Sequence, residues 1–363
     1  MKKTIDQMEA IRKQAVGVDV SKAEFAVRLV WVEANSGRLK YRRRRRFVNT
    51  LKGFQSFHEW LEKHTLADVP LVIMLEATGV YHEELAYYLD GLHYAVSIQL
   101  PNKVKAYAHS LNTYSKTDKI DADIIARMAA EREVKRWRPM SREMLTIKAL
   151  SRQRTQLVVQ RTRVSNQRHA HSHGVVKSAE ILARYETLLT TYDDMIAQTE
   201  REMKQLAKAN ASLTAAVARL SSLHGIGLVT ALTVLAETDG FRLFTSRSQV
   251  VRYAGYDVEQ RQSGSSLQGR GRISKRGNSH IRRALYMPSL SAVRKSGIFK
   301  DLYDRIFERT GKKQMALVAV QRKLLTTMYA LQKNGTYYEV DYHKVLPENG
   351  VGKPIDLPTV TTP

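Results

Sequence analysis

The chain of 363 residues is predicted to combine a mixed α/β domain with largely helical segments. Up to about residue 135, β-branched runs alternate with amphipathic helical patterns. The next stretch, residues 141–220, contains no proline and one glycine, Gly174. Beyond Leu223 glycines return among helical patterns and basic loops. We therefore expect four segments, namely an α/β domain (1–140), a helical connector (141–220), a mostly helical domain (221–336) and a tail (337–363).

The first segment begins with AVGVDVSKAEFAVRLVWVE, two β-branched runs around a short polar turn, which predicts two strands. LKYRRRRRFVN supplies a third strand and LKGFQSFHEWLEKH an amphipathic helix, before the buried strand LVIMLEA. A helix around HEELAYYLDGL, the strand YAVSIQL and helical patterns from about Val104 to Glu133 complete a mixed sheet with its helices.

In the connector, apolar residues such as Leu150, Leu157 and Val164 recur at helical spacing. We expect two long helices in a hairpin broken near HAHSHG, which makes a coiled coil or dimerisation arm. From Tyr337 onward prolines accumulate, and the composition predicts a disordered tail.

The balance of charges indicates the partner. Fifty-nine Lys and Arg against 35 Asp and Glu give a net charge of +24, which favours nucleic acid. A membrane surface fits the charge equally well, but the chain has no apolar run of spanning length and no lipidation signal, so we expect no membrane. The first fifteen residues lack the apolar core of a secretory signal. Zero cysteines exclude disulfides and thiolate metal sites, and the cytoplasm is the expected compartment.

Four carboxylates are placed where strands and a helix would bring them together. Asp19 ends the first strand, Glu76 ends LVIMLEA, and Asp118 and Asp121 lie three apart in a helical stretch. Oxygen ligands without Cys or His suit Mg²⁺ or Mn²⁺, and two such ions would clamp a phosphodiester. Asp123 is left out because it would point to another face of the helix.

Each of these carboxylates has an ordinary structural explanation. Asp19 and Glu76 could be strand-end polar residues, and Asp118 could cap a helix. Taken singly, that explanation is the better one. Taken together, they favour the metal site, because burying the Asp19 and Glu76 carboxylates among apolar residues costs free energy unless a partner such as a metal ion compensates.

The C-terminal half carries two candidate contacts to a phosphate backbone. Gly225 and Gly227 resemble a helix-hairpin-helix loop whose N–H groups receive a phosphate, although a plain helix-loop-helix explains them as well. Residues 261–283 hold seven Lys or Arg, four glycines and no acid, and a nucleic-acid-binding loop without chemistry remains open. The candidate contacts there are Arg270, Arg272, Lys275, Arg276, Arg282 and Arg283.

The same loop contains Ser263, Ser265 and Ser266, which chemistry alone cannot tell apart as nucleophiles. A serine can attack a phosphodiester if cations stabilise the developing charge. In the N-terminal half, the run Arg42 to Arg46 is usually a solvated face. If it is a strand, alternate residues such as Arg42, Arg44 and Arg46 would line one surface and contact phosphates.

These motifs, taken in order, resemble the IS110 family of insertion-sequence transposases, DEDD-type recombinases that use a bridge RNA. The resemblance runs from VGVDVSK to IRRALYMPSLSAVR and includes LEATGVYHEELAYYL, KTDKIDADIIARM, LHGIGLVTALTVLAE and GYDVEQRQSGSSLQGRGRISKRGNSHIRRALY. It implies a RuvC-like (RNase H-like) domain, a coiled-coil connector and a C-terminal transposase domain. The family's carboxylates fall on Asp19, Glu76, Asp118 and Asp121, and its catalytic serine, which precedes a glycine, falls on Ser263.

The resemblance also implies a mechanism and partners. A guide RNA pairs with donor and target double-stranded DNA, and a serine of one protomer acts beside the carboxylates of another. Homodimers would assemble to a homotetramer. Some members carry a proline before the serine where this chain has GYDVEQRQS, and we expect a different loop path there. Two other hypotheses are a RuvC-type, metal-dependent junction nuclease and a nucleic-acid-binding scaffold without catalysis.

Overall fold

The computed structural model describes residues 10–77, 79–112, 118–259, 262–263, 267–268 and 272–339. The chain divides into two compact units, residues 1–139 and residues 140–363. Among the helices described, none combines the length and apolarity needed to cross a bilayer.

Five strands of the first unit form one mixed sheet, in the order β3-β2-β1-β4-β5. The strands are β1 (Ile11–Val20), β2 (Glu24–Glu33), β3 (Leu39–Val48), β4 (Leu71–Glu76) and β5 (Ala95–Gln99). β1, β2 and β3 form an antiparallel meander, whereas β4 runs parallel to β1 and β5 parallel to β4. The mixed α/β sheet predicted from the sequence is confirmed, and its arrangement fits a RuvC-like domain.

Helices cover both faces of this sheet, and two apolar clusters form its core. The helices are α1 (Leu51–His64), α2 (Glu83–Gly91), α3 (Pro101–Ser110) and α4 (Asp118–Glu131). Val16, Val18 and Leu75 pack in one cluster with residues of α1 and α2. Ala15 and Met74 pack in the other with residues of α3 and α4. Successive strand residues therefore alternate between an α1/α2 face and an α3/α4 face.

The second unit opens with two long helices, α5 (Arg142–His173) and α6 (Ala179–Ala209), which pack against each other along the chain. The break between them falls at Gly174, as predicted at HAHSHG. Three ion pairs at seven-residue intervals join them in antiparallel register, namely Arg154–Glu200, Arg161–Asp193 and Arg168–Glu186. A second break at Asn210, whose side chain caps the next helix at the N–H of Leu213, was not foreseen.

Among the described residues, this unit also contains shorter helices and two small two-stranded sheets. The helices are α7 (Ala211–Ser221), α8 (Leu228–Thr238), α9 (Arg247–Ala254), α10 (Ser279–Ala284), α11 (Tyr286–Ala292), α12 (Ile298–Thr310) and α13 (Lys313–Asn334). The strands are β6 (Val258–Glu259), β7 (Gln262–Ser263), β8 (Leu267–Gln268) and β9 (Arg272–Ile273). α8 is the central helix of the core, because every residue from Ala231 to Thr238 is buried.

The predicted disordered tail does not begin at Tyr337. The Tyr338 backbone N–H donates to Ser222 Oγ at 2.8 Å, and its ring lies 6.1 Å from that of Phe299. The remainder of the predicted tail, residues 340–363, lies outside the described residues.

Candidate active site

Asp19 and Glu76 lie side by side at one edge of the sheet. The parallel ladder between β1 and β4 ends with the pair Val18 and Leu75, so the next residues along are Asp19 and Glu76. Val18 and Leu75 face α1 and α2, and the alternation of a strand turns Asp19 and Glu76 to the α3/α4 face. Both carboxylates are half-buried.

Gly17 brings α4 onto the same face. A Cβ at Gly17 would stand 2.1 Å from the backbone N of Ala126 and 2.4 Å from the carbonyl oxygen of Ala122. The helix backbone therefore rests directly on β1, two residues before Asp19. Asp121 shares a face of α4 with the fully buried Ile125, one turn further along, and is itself half-buried.

The four predicted ligands thus belong to three elements that meet at this edge, namely β1, β4 and α4, and the side chains of three of them are described. Asp118 begins α4, and its side chain lies outside the described residues. Within the described part of the chain, no three Asp, Glu or His side chains stand close enough to hold one metal ion. Carboxylate oxygens at the edge are nevertheless the donor type that Mg²⁺ and Mn²⁺ prefer.

Asp123 has a structural partner on each neighbouring strand. Its Oδ1 lies 3.2 Å from Arg28 Nε on β2, and its Oδ2 pairs with Arg44 on β3. Asp123 therefore anchors α4 to the antiparallel side of the sheet.

The arginine run forms a strand, β3, as predicted, and the structure places it at the edge of the sheet. Its residues do not alternate as predicted. The register between β2 and β3 shifts between Arg28 and Val30, which inserts a residue into β3. As a result, Arg42 stacks over Trp31, whose ring packs on the α1/α2 face, at 4.2 Å. Arg44 reaches Asp123 of α4 on the opposite face. Arg42, Arg44 and Arg46 therefore do not line one surface.

Two arginines of the run have carboxylate partners. Arg44 is paired with Asp123, and Arg46 with Glu24 at 2.5 Å. Arg45 instead lies 5.1 Å over the ring of Phe47. No carboxylate of the described residues pairs with Arg42, Arg43 or Arg45, and all three side chains are exposed.

In the second unit, the segment that carries Ser263 is joined at its two ends. Val258 pairs with Ile273, and the Ser274 N–H donates to the carbonyl oxygen of Asp257 at 2.7 Å. Gly255 and Gly277 meet so closely that a Cβ at Gly277 would stand 2.6 Å from the Gly255 N. We call residues 255–258 and 273–278 the base of the serine segment.

Ser263 itself ends β7 and pairs with Leu267 of β8. Its side chain, Ser265, Ser266 and Arg270 lie outside the described residues, as does the side chain of Arg272.

A buried ionic cluster, which we call the Glu237 cluster, supports the base. Glu237 on α8 is 1% exposed and accepts two hydrogen bonds from Arg152 of α5, at 2.7 and 2.9 Å. It also accepts one from Asn278 Nδ2 at 2.7 Å, and Asn278 Oδ1 caps α10 at His280 and Ile281. Burial alone would raise the pKa of Glu237, but the bonds from Arg152 and Asn278 outweigh burial and lower it.

The sequence reasoning missed the Glu237 cluster. Glu237 lies in an apolar helix and Arg152 eighty-five residues earlier, and nothing in their spacing links them. The acid in the run LTVLAE was the one available signal, because a lone carboxylate in a buried helix requires a partner.

The other predicted phosphate contacts whose side chains are described differ in their exposure and in their bonds within the protein. Arg282 is half-buried and donates to the carbonyl oxygen of Ala254 at 2.7 Å, so it braces the base. Lys275, Arg276 and Arg283 are exposed.

Gly225 and Gly227 border a cavity of about 950 Å³, which Lys295 and His224 also line. Gly225 has a φ of +86° and packs against Ser291. Gly227 is the N-cap of α8, and a Cβ added there would have no neighbouring atom within 4 Å.

Two transposase family models match this chain in sequence order. A DEDD transposase model of the IS110 type matches residues 16–175, which include Asp19, Glu76, Asp118 and Asp121. A transposase model of the IS116/IS110/IS902 family matches residues 217–304, which include Ser263. The chain belongs to the IS110 family of transposases. It is therefore a DNA transposase and recombinase, as the resemblance implied.

Relatives of this IS110-family transposase are similar to it in sequence over most of its length. A pilin gene-inverting protein of Moraxella bovis is 28% identical over 341 residues, covering 92% of this chain and 99% of the relative. The transposase for insertion sequence element IS1111A of Coxiella burnetii is 27% identical, covering 72% and 78%. A solved fowlpox virus Holliday junction resolvase shares 16% identity over 32% of this chain and 94% of its own, with a TM-score of 0.24.

Proposed function

We propose that this transposase cleaves and rejoins donor and target DNA through Ser263, assisted by a divalent metal ion held by Asp19, Glu76, Asp118 and Asp121. The observation that carries the metal half is the adjacency of Asp19 and Glu76 on parallel strands, on the face where α4 rests. The serine half is supported by the family resemblance and by the position of Ser263 in a segment joined at its base.

In the proposed reaction, Ser263 Oγ attacks a phosphorus of the DNA backbone. A serine–phosphate ester forms, one phosphodiester bond breaks, and the departing deoxyribose hydroxyl takes a proton. The hydroxyl of another strand end then attacks the ester, which restores a phosphodiester and releases the serine. A bound Mg²⁺ or Mn²⁺ would neutralise charge on the phosphate oxygens.

We further propose that a guide RNA, the bridge RNA, selects both DNA partners by base pairing, as in the family. The net charge of +24 and the unpaired arginines of β3 supply contacts to phosphate that need no base recognition. Lys275, Arg276, Arg283 and the region of Gly225 and Gly227 are further proposed contacts.

We also propose that homodimers, assembling to a homotetramer, hold the two duplexes. The ion pairs at seven-residue intervals between α5 and α6 are typical of a coiled coil, which supports the proposed coiled-coil connector.

The test compares serines within one segment. Purified Ser263→Ala, Ser265→Ala and Ser266→Ala variants are incubated with guide RNA, Mg²⁺ and end-labelled DNA, and covalent protein–DNA adducts are counted on denaturing gels. We expect adducts to disappear with Ser263→Ala alone, while RNA binding is unchanged. Adducts that persist in Ser263→Ala at the wild-type level would refute the assignment of this serine.

A metal nuclease of the junction-resolving kind makes a different prediction from the same carboxylates. Asp19→Asn and Glu76→Gln would then abolish strand cleavage, whereas Ser263→Ala would cleave normally. Mg²⁺-dependent strand transfer by the purified protein would rule out a purely binding scaffold.

A further inference from the structure

Asn49 joins the two loops that follow the carboxylate-bearing strands. Its side-chain Nδ2 donates to the carbonyl oxygen of Ser21 and to that of Tyr81, both at 3.0 Å. Ser21 follows Asp19 by two residues, in the turn between β1 and β2. Tyr81 follows Glu76 by five residues, in the connection between β4 and α2.

The brace needs a side chain that can donate two hydrogen bonds. Two carbonyl oxygens offer no proton, and an NH₂ group can donate to both at once. Asn49 is held there independently of its side chain, because its backbone N–H donates to the carbonyl oxygen of Ala23 at 2.8 Å. Removing the side chain would therefore break the brace and leave the local backbone in place.

The brace lies where the direct pairing of β1 with β4 ends. Asp19 and Glu76 remain in the sheet, since Asp19 pairs with Ala26 of β2 and Glu76 with Gln99 of β5, but the last ladder pair between β1 and β4 is Val18 with Leu75. A metal site depends on the spacing of its ligands to a fraction of an ångström, so a bond between the two loops beyond that pair helps to fix the distance between the two strand ends.

We propose that Asn49 is a positioning residue that fixes the spacing of Asp19 and Glu76 and thereby the affinity of this edge for a divalent cation. The inference rests on the proposed metal function. Asn49 contacts neither carboxylate in the bonds described; it acts through the backbone of the loops that follow them.

Gln14 provides a matched control within the same unit. Its Nε2 donates to the carbonyl oxygens of Leu66 and Val69, at 2.9 and 3.0 Å, and its Oε1 accepts from the Leu66 N–H. This second amide brace lies near the start of β1, whereas Asp19 lies near its end. Loss of either brace costs hydrogen bonds, but only one lies next to the carboxylates.

The experiment measures Mn²⁺ binding by the full chain, using electron paramagnetic resonance of the free ion, for the wild type and for Asn49→Ala, Gln14→Ala and Asp19→Asn. We expect Asp19→Asn to lose the site and Asn49→Ala to bind about 10-fold more weakly. Gln14→Ala should bind as the wild type does. Thermal unfolding without metal should show that both amide variants are folded and destabilised.

Wild-type Mn²⁺ affinity in folded Asn49→Ala would overturn the brace alone, as would equal weakening by Gln14→Ala. Equal binding by the wild type and Asp19→Asn would overturn the metal site and the brace together. If Asn49→Ala does not fold, the Mn²⁺ affinity of Asn49→Ser tests the brace instead. A serine hydroxyl can donate to only one of the two carbonyl oxygens, so the Mn²⁺ affinity of Asn49→Ser should lie below that of the wild type.

Discussion

Because Gly17 has no side chain, α4 can approach the sheet closely. At Gly17 the helix backbone occupies the space that a Cβ would need. We predict that Gly17→Ala pushes α4 away from β1 and lowers the free energy of unfolding by about 1–3 kcal/mol. DNA cleavage should fall with it, because Asp121 moves with the helix. Chemical denaturation and a cleavage assay measure the two effects.

Gly91 is the control for this substitution. It ends α2, and a Cβ there would meet nothing within 4 Å. Gly91→Ala should therefore leave stability unchanged or raise it slightly. Equal losses in the two variants would show that packing at Gly17 is not the cause.

Glu237 makes the stability of the second unit depend on pH. Because its folded-state pKa is lowered, the cluster contributes its full stability above the unfolded pKa of about 4.3, and this contribution is lost as the pH falls through the folded value. We predict that Glu237→Gln destabilises the protein at pH 7 and flattens the acid limb of the stability curve. Denaturant unfolding between pH 3 and 7 measures both.

Glu200→Gln separates this effect from the loss of any carboxylate. Glu200 pairs with Arg154 between α5 and α6, but its side chain is 38% exposed, whereas that of Glu237 is 0% exposed. An exposed pair contributes little, so the acid limb of this variant should match the wild type. A flattened limb in Glu200→Gln would contradict the role given to Glu237.

At the scale of a single element, β3 shows how one inserted residue redistributes charge. Arg44 and Arg46 each pair with an acid, whereas Arg42, Arg43 and Arg45 pair with no carboxylate in the part of the chain that the structure describes. We predict that replacing these three arginines by Gln weakens the salt dependence of duplex DNA binding. The slope of log affinity against log salt concentration should become less negative by about 0.9 for each phosphate that is no longer neutralised. Fluorescence anisotropy over a salt series measures the slope.

The double variant Arg44→Gln/Arg46→Gln is the matched control. It removes cations from the same strand, but those cations already have carboxylate partners, so the salt dependence should stay near that of the wild type. If this pair changes the slope as much as the triple variant does, phosphate binding does not follow the pairing seen in the structure.

β3 also marks where sequence reasoning fails. Strict alternation predicted that Arg42, Arg44 and Arg46 share a surface, and it failed because a bulge leaves no trace in a run of identical residues. Asp19 and Glu76 could be located from the sequence, because apolar neighbours fix which way a buried strand faces. Ser263 could not be chosen among three serines by chemistry, and the family resemblance alone selects it.

At the scale of the whole molecule, each unit has its own apolar core. We predict that residues 1–139 and 140–363, expressed separately, each unfold in a cooperative transition. The first fragment should bind Mn²⁺ through Asp19, so that Asp19→Asn in the fragment loses the ion. Circular dichroism melts and Mn²⁺ titration test this, and a fragment without a cooperative transition would show that its core needs the rest of the chain.

A change from an α/β segment to a helical one near Pro139 could be predicted from the sequence, because residues 141–220 contain no proline and only one glycine. It could not show the packing within the second unit. There, helices from distant parts of the chain meet at α8, and contacts such as Arg152 with Glu237 depend on tertiary structure rather than on local pattern.

The base of the serine segment has a consequence for chain entropy. Its two ends are already held together by the contact of Gly255 with Gly277 and by the Val258–Ile273 pair. The entropic cost of closing a loop grows slowly with the number of residues in it, by about 0.6 kcal/mol for each doubling. We therefore expect the contacts at the base, rather than the number of residues between its two arms, to determine how firmly the two arms are held together.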